Sequence, residues 1–205
     1  MAVSTEQIKE LREETGAGIM DCRNALEQSG GDMEKALEYL REKGLSKVAK
    51  KSDRETSEGM IELYSHGEGR VGVMVEVNCE TDFVARNDDF RELAHELALQ
   101  IAASMPEWPT EADVSAELLD AEREDARAQA KEEGKPDDVI DKIVEGRVNK
   151  LLDEKVLMRQ IYIRDGEKTV QDLVNEVIAK LGENISVRRF ERWEMGEHSE
   201  DADEE

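Results

Sequence analysis

The stretch from Val71 to Ala102 most constrains the fold, because a strand pattern and a helix pattern follow one another with a short gap. From 71 to 77, valines alternate with other residues, a period of two that is typical of a half-buried strand. From Phe90 to Ala102, apolar residues recur at helical spacing. Asn87 can cap this helix. The sequence therefore predicts a rigid strand and a rigid helix joined by a tight corner at Thr81–Asn87.

Asp82 and Phe83 lie in this corner, and two interpretations of it are open. In the first, Phe83 folds back into the core, as most apolar aromatic residues do, and Asp82 is an ordinary turn residue. In the second, Phe83 is an exposed wedge that contacts a partner from a rigid scaffold. The pattern of the corner alone leaves both interpretations open.

The charge balance limits the partners that this chain can bind directly. Its 205 residues include 51 acidic and 28 basic side chains, which gives a formal net charge of −23. Nucleic acids and anionic membranes attract basic surfaces, so we expect direct binding to neither. No apolar run approaches the roughly 20 residues of a membrane-spanning helix. The acidity permits a partner that presents a basic or amphipathic surface.

The cysteines and the first residues indicate a cytoplasmic protein. Cys22 and Cys79 lie far apart in apolar-patterned segments, so we expect buried free thiols in a reducing compartment. Residues Met1–Ser4 lack the basic start and apolar stretch of a signal peptide. Two cysteines with no histidine close by make a zinc site an unfavourable interpretation, and we expect neither a metal nor a cofactor.

The order of patterns predicts an α+β protein, with an N-terminal three-helix module and a core of antiparallel strands packed with helices and a helix pair. Composition shifts and Gly/Pro stops set the expected boundaries. They are a three-helix domain at 1–45, a basic linker at 46–58, an α+β core at 59–195 and a disordered acidic tail at 196–205. Within the core we expect a hairpin and helix at 59–105, the helix pair at 106–153 and a strand–helix–strand unit at 154–195.

The N-terminal module resembles a ubiquitin-associated domain. Glycines at 16–18 and 30–31 break its apolar pattern into three short helices, and Gly44 is expected to end the third. Ile19 belongs to the apolar stripe of the second helix, but Ile19 and Met20 are adjacent and cannot both face inward. We therefore expect one of them to be exposed, which indicates a contact surface.

Motifs for covalent chemistry are missing from the sequence. Gly-x-Gly occurs at 16–18 and 67–69, without the spacing of a phosphate loop or of a dinucleotide-binding turn. There is no nucleophile elbow. An enzyme interpretation would need a site assembled entirely by tertiary structure, for example a hydrolase that uses Asp82 and His95, and we expect a protein that is not an enzyme.

Several long motifs in fixed order resemble those of translation elongation factor Ts, over residues 4–197. The resemblance rests on Gly16–Cys22 (GAGIMDC), Val75–Val84 (VEVNCETDFV), Gly134–Pro136 (GKP), Lys142–Arg147 (KIVEGR), Lys168–Val170 (KTV) and the closing segment Ile185–Glu197.

The resemblance implies that the chain binds elongation factor Tu, in its GDP-bound and nucleotide-free states, and catalyses the release of GDP. The positions of Thr81, Asp82, Phe83 and Val84 match the family motif that enters the partner near its bound magnesium. Phe83 matches the aromatic wedge of that motif, and Asp82 its neighbouring carboxylate. The resemblance thus favours the exposed interpretation of the corner.

The resemblance also implies a second contact and a homodimer. Arg12, Ile19 and Met20 occupy the contact positions of the N-terminal module, although longer relatives often have Met in place of Ile19. Only one hairpin-plus-helix unit precedes the helix pair, as in short family members in which a homodimer supplies the missing half of the core. The alternative of another class is a protein-binding adaptor that uses its N-terminal module and leaves nucleotide release unchanged.

Overall fold

The computed structural model describes residues 3–197, without the side chain of Asp138. The predicted disordered tail at 196–205 lies outside these residues from 198 onward. In chain order the elements are α1 (Thr5–Thr15), α2 (Ile19–Gln28), α3 (Met33–Ala49), β1 (Glu58–His66), β2 (Val71–Cys79), α4 (Asp82–Ala85), α5 (Asp88–Ser104), α6 (Ala116–Glu132), α7 (Asp137–Lys155), β3 (Ile161–Tyr162), β4 (Asp165–Thr169), α8 (Val170–Leu181) and β5 (Ile185–Glu194). The predicted α+β class is confirmed.

The chain forms two compact units, and both are assembled from separated segments. Among the described residues, unit 1 comprises those up to Gly59, Asn78–Phe90 and Val174–Ser186, and unit 2 comprises Met60–Val77, Arg91–Leu173 and those from Val187 onward. The boundaries expected from the sequence, at 45, 58 and 195, stay a prediction.

In unit 1, helices α1, α2 and α3 pack around a small apolar cluster. Ser4 caps α1 through a capping box with Gln7, and Asp32 caps α3 by accepting a hydrogen bond from the backbone N–H of Lys35 at 3.2 Å. The apolar stripes predicted from the sequence meet in this cluster. Its fully buried members are Leu11, Cys22, Ala25, Leu26 and Ala36.

Two details predicted for this module are wrong. Ile19 is 55% exposed and does not join the cluster, because it begins α2 and the inward positions of that helix start at Cys22. Gly44 does not end α3, which continues to Ala49. The extra turn places Lys47 beside Lys43, and both ammonium groups reach the carboxylate of Asp21 at 2.9 Å. These ion pairs stabilise the helix beyond the glycine.

In unit 2, β1 and β2 form a hairpin, and the sheet order is β1-β2-β5. The backbone N–H of Met195 donates to the carbonyl of Arg70 at 2.9 Å, which pairs the end of β5 with the start of β2 and makes these strands antiparallel. Val73, Val75 and Val77 are buried, whereas Met74 between them is exposed. The predicted half-buried strand is therefore confirmed, as is the helix that follows it.

Helices α6 and α7 form the predicted pair, held by a small apolar cluster of Ala126, Ala130, Ile140 and Val144. Ala126 and Ala130 of α6 are nearly completely buried in this cluster. On the outer edges, the guanidinium of Arg147 pairs with Glu122 at 2.7 Å.

Apolar residues at 157, 161 and 163 favour an extended segment at the start of the predicted unit 154–195, and only its part Ile161–Tyr162 is a strand. Residues Leu157–Arg159 form a single 3-10 turn, and β3 pairs with β4 in a separate two-stranded antiparallel sheet. A buried amide produces the change: the Gln160 side chain donates to the carbonyls of Ser104 and Glu154, at 3.1 and 2.7 Å. These bonds pull the chain inward where an extended strand would have continued.

Candidate functional site

The predicted corner is a one-turn helix whose aromatic residue faces solvent. Thr81 has extended backbone geometry and caps α4, and its hydroxyl accepts a long hydrogen bond from the N–H of Val84 at 3.5 Å. Phe83 lies in the first turn of α4 and is 83% exposed. The interpretation in which Phe83 folds back into the core is wrong. We call Thr81–Val84 the tip.

The residues that flank Phe83 lie closer to the protein. Asp82 and Val84 are half-buried, and the carboxylate of Asp82 forms an ion pair with Arg86 at 3.0 Å. The side chain of Asn87 accepts a hydrogen bond from the N–H of Asp89 at 2.9 Å, so Asn87 caps α5 as predicted. Local capping thus lies on both sides of Phe83, whose aromatic ring is not buried.

Two residues far along the chain hold the base of the tip, and sequence reasoning missed both. The Glu183 carboxylate accepts hydrogen bonds from the backbone N–H and the hydroxyl of Thr81, at 3.0 and 2.7 Å. In return, the carboxylate of Glu80 accepts a bond from the backbone N–H of Asn184 at 2.7 Å. We call these four residues the clasp. Thr81 and Glu183 are 102 positions apart in the sequence, so no local periodicity indicates that they pair.

The predicted contact residues of the helical module also lie on the surface of unit 1. Arg12 is exposed, and Ile19 and Met20 are 55% and 62% exposed, so the pair presents two apolar side chains where one was expected. Asp21, next to them, is fixed by Lys43 and Lys47, whose hydrogen bonds hold the pKa of its carboxyl below the usual range. The first turn of α2, which is joined to α3 through Asp21, therefore carries this apolar pair.

Lys180 contacts both the helical module and the first turn of α5. Its ammonium pairs with the carboxylate of Asp89 at 2.6 Å. Its methylene groups pass beside Gly16, where the position of an added Cβ would be 3.6 Å away. Gly16 ends α1 with a φ of 64° and precedes Ile19 and Met20, so one side chain touches both the module's corner and the helix that follows the tip.

The residues of the enzyme interpretation have separate partners. His95 contacts Glu62 through its Nδ1 atom at 3.0 Å and packs edge-on against Tyr64. Asp82 pairs with Arg86 instead. Cys22 and Cys79 are buried free thiols, as predicted, and burial raises the pKa of the Cys79 thiol to about 11.

Two kinds of site are absent from the described part of the chain. Among residues 3–197, no group of three or more His, Cys, Asp or Glu side chains is arranged to hold a metal ion. Within the same residues, no helix combines the length and the apolar character needed to cross a bilayer.

Fold and site together define an α+β protein that presents an exposed aromatic tip and a small helical module with exposed apolar residues. The family model described as Elongation factor TS matches residues 27–197. Elongation factor Ts of Caldanaerobacter subterraneus subsp. tengcongensis is 58% identical over 195 residues, which cover 95% of this chain and 98% of the relative. Elongation factor Ts of Desulforamulus reducens is 56% identical over 195 residues, with coverages of 95% and 90%.

A third relative matches the chain to the same extent. Elongation factor Ts of Coprothermobacter proteolyticus is 56% identical over 197 residues, 96% of this chain and 100% of the relative. The chain belongs to the elongation factor Ts family, and the resemblance seen in its motifs is confirmed.

Proposed function

We propose that this chain is the guanine-nucleotide exchange factor for elongation factor Tu in translation elongation. In this proposal the tip enters the partner near its bound magnesium ion and promotes the release of GDP. The observation that carries the proposal is Phe83, which is 83% exposed on a corner held by the clasp. An exposed aromatic side chain on an ordered scaffold is suited to insertion into a partner.

The energy available from the tip sets the scale of the effect. Burial of one Phe side chain in a partner contributes roughly 1.5–3 kcal/mol. Each tenfold loss of GDP affinity requires about 1.4 kcal/mol of coupling, and by linkage GDP weakens binding of the factor by the same ratio. The tip alone can therefore lower the GDP affinity of the partner by about ten- to a hundredfold. A larger loss of affinity needs further contact area.

The helical module is proposed to supply part of that area. Ile19 and Met20 present adjacent exposed apolar side chains, and Arg12 adds an exposed cation. Because these residues and the tip belong to the same unit, a partner can engage both. Binding through the module holds the tip at its target and raises its effective concentration there.

The magnesium ion in this proposal belongs to the partner. It neutralises the phosphates of GDP, and its displacement leaves those charges uncompensated. The role proposed for Asp82 and Phe83 is to shift the partner's groups around the ion. The chain would perform no covalent chemistry and would need no cofactor of its own.

A homodimer is part of the same proposal. The strands of the three-stranded sheet leave Ile61, Leu63, Met74 and Trp193 exposed. With a formal charge of −23 on each chain, self-association is least opposed at a surface of uncharged side chains. We propose that a second copy covers these residues. Light scattering that gives a monomer, at concentrations where exchange proceeds at full rate, would remove this part of the proposal.

The function is tested by the release of fluorescent GDP from elongation factor Tu, with and without this chain. We expect a large, saturable acceleration in the presence of the chain and excess unlabelled GDP. Binding to elongation factor Tu with no change in the release rate would overturn the exchange function and favour the adaptor interpretation.

A further inference from the structure

The tip is held mainly by residues outside its own segment. Phe83 is exposed, so the tip gains little from burial of its own apolar residue. Glu183 instead binds Thr81 from two directions, through the backbone N–H at 3.0 Å and the hydroxyl at 2.7 Å. Hydrogen bonds to an ionised acceptor are short and strong. Without this carboxylate, the N–H of Thr81 would lose its acceptor.

In the clasp, each of the two segments provides both a carboxylate acceptor and a backbone donor to the other. Further hydrogen bonds join the clasp to the chain before β1. Asn184 donates its backbone N–H to Glu80 and its side-chain amide to the carbonyls of Ser52 and Arg54, at 3.2 and 2.9 Å. Asn184 is itself buried. Asn184 therefore also fixes the last part of the predicted basic linker, which is attached to the protein through these hydrogen bonds.

The basic residues of the linker supply counter-charge to the clasp. Arg54 lies 3.4 Å from the Glu80 carboxylate. Burial, and then the like charge of Arg54, lower the pKa of Lys51, whereas the carboxylates of Glu80 and Glu183 act in the opposite direction. Two carboxylates thus lie close together in an acidic protein, with Arg54 paired to Glu80 and with Lys51 near enough to interact electrostatically with both.

We propose that Glu183 is a positioning residue for the tip, and that Lys180–Asn184 forms a support segment which fixes both the tip and the helical module. Glu183 holds Thr81, and Lys180 joins Asp89 at the start of α5 to the corner at Gly16. Because this segment contacts both parts, the tip is already in position when a partner docks on the module. This inference rests on the proposed function, because it assigns Glu183 a role in that activity.

The physical basis is preorganisation. An exposed tip that moved freely would have to be ordered when it inserts, and that ordering would consume part of the modest energy gained by burying Phe83. A tip already fixed by ionic hydrogen bonds retains more of that energy for coupling to GDP. Loss of Glu183 should therefore reduce the maximal rate of GDP release more than it reduces binding of the partner.

The first test concerns the free chain and needs no partner. Glu183→Met removes both acceptor oxygens and keeps the length of the side chain. We expect hydrogen–deuterium exchange at Thr81, Val84 and Ala85 to accelerate by about ten- to a hundredfold, the factor expected for bonds to a charged acceptor. Glu183→Gln keeps one acceptor but loses the charge, so its acceleration should be smaller than that of Glu183→Met. Glu124→Met, an exposed position on α6, is the matched control.

The second test concerns the activity. We expect Glu183→Met to lower the maximal rate of GDP release by about tenfold, with the half-saturating concentration changed by less than about threefold. In a Phe83→Ala background, Glu183→Met should cause no further loss, because the residue acts through the tip. Unchanged protection of Thr81–Ala85, or additive losses in the double variant, would overturn the inference.

The two tests separate this inference from the proposed function. If the wild-type chain does not accelerate GDP release, the proposed function fails, and amide exchange in the free chain still decides whether Glu183 positions the tip. Circular dichroism monitors the fold of each variant. Should Glu183→Met fail to fold, Glu183→Asp withdraws the carboxylate by one methylene and keeps its charge. The same acceleration of exchange at the tip is then expected, and its absence would overturn the inference.

Discussion

Phe83 and Phe90 flank the same corner and have opposite surroundings: Phe83 is 83% exposed, whereas Phe90 is completely buried. Both follow an aspartate in the first turn of a helix, α4 for Phe83 and α5 for Phe90. The difference lies in packing, because α4 ends after one turn and α5 continues along the interior. One substitution made at each position therefore separates a contact role from a structural role.

Phe83→Ala is expected to slow the stimulated release of GDP at least about tenfold, because the roughly 1.5–3 kcal/mol from burial of the ring is lost. The melting temperature should stay within about 1 °C of the wild type, since the ring packs on little of its own chain. Stopped-flow release of fluorescent GDP and thermal unfolding followed by circular dichroism measure the two quantities.

Phe90→Ala is the matched control for this prediction. Loss of a fully buried ring should lower the free energy of unfolding by about 3–5 kcal/mol. If Phe83→Ala also unfolded the chain, or left GDP release unaltered, the contact role of Phe83 would be wrong.

Gly44→Ala is expected to stabilise the helical module by about 0.5–1 kcal/mol, because glycine inside a helix is less favourable than alanine. The structure has room for the methyl group, whose nearest neighbour is the Cβ of Ala179 at 3.7 Å. Urea unfolding monitored by circular dichroism measures the change.

Gly16→Ala should have the opposite effect, because Gly16 ends α1 with a φ of 64°. An L-residue in this left-handed conformation costs about 1–2 kcal/mol. A loss of stability on Gly44→Ala comparable to that at Gly16 would contradict the continuous α3 and return Gly44 to the helix end that the sequence predicts.

Asp21 should make the helical module sensitive to acid. Its pKa is lowered chiefly by hydrogen bonds from Lys43 and Lys47, so its ionised form is favoured in the folded state. The stabilisation is fully present above the unfolded pKa of about 4 and is lost as pH falls through the lower, folded pKa. Because the three side chains are partly exposed, we expect at most about 1 kcal/mol.

Asp21→Asn tests this contribution. The variant should be slightly less stable than the wild type at pH 7, and the two should converge as pH falls below 4. The NMR signals of Leu26 and Ala36 during thermal unfolding report on the module. A constant difference between the two proteins from pH 7 to pH 2 would show that the carboxylate charge is not the cause.

Gln100 is expected to be essential for the stability of unit 2. It is buried, its amide donates to Gln160 and to the carbonyl of Ile161, and its oxygen accepts the N–H of Ile163 at 2.9 Å. Gln100→Leu keeps a similar volume and leaves these groups without their partner. Each such group costs about 1–3 kcal/mol, so the urea midpoint should fall clearly.

Gln28→Leu provides the comparison for Gln100, because Gln28 is exposed at the end of α2. Its free energy of unfolding should change by no more than about 0.5 kcal/mol. Equal effects at the two positions would mean that the amide network contributes nothing specific.

Local patterns predicted the regular elements well because each depends on neighbouring residues. The alternating valines of β2 follow from periodicity, and the Asn87 cap of α5 follows from a side chain that reaches its own turn. Gly44 shows the limit of such rules. A glycine is also tolerated inside a helix when ion pairs on both sides of it, here from Lys43 and Lys47, hold the next turn.

The amino-acid sequence by itself determined the α+β class, the order of the helices and strands, and membership of the elongation factor Ts family, since these are carried by short-range periods and by ordered motifs. Only the tertiary structure decided that Phe83 faces solvent, that Glu183 binds Thr81 and that Lys180 pairs with Asp89. The reason is that burial and long-range hydrogen bonds arise when segments about a hundred positions apart meet, as Thr81 and Glu183 do, and no local pattern encodes that meeting.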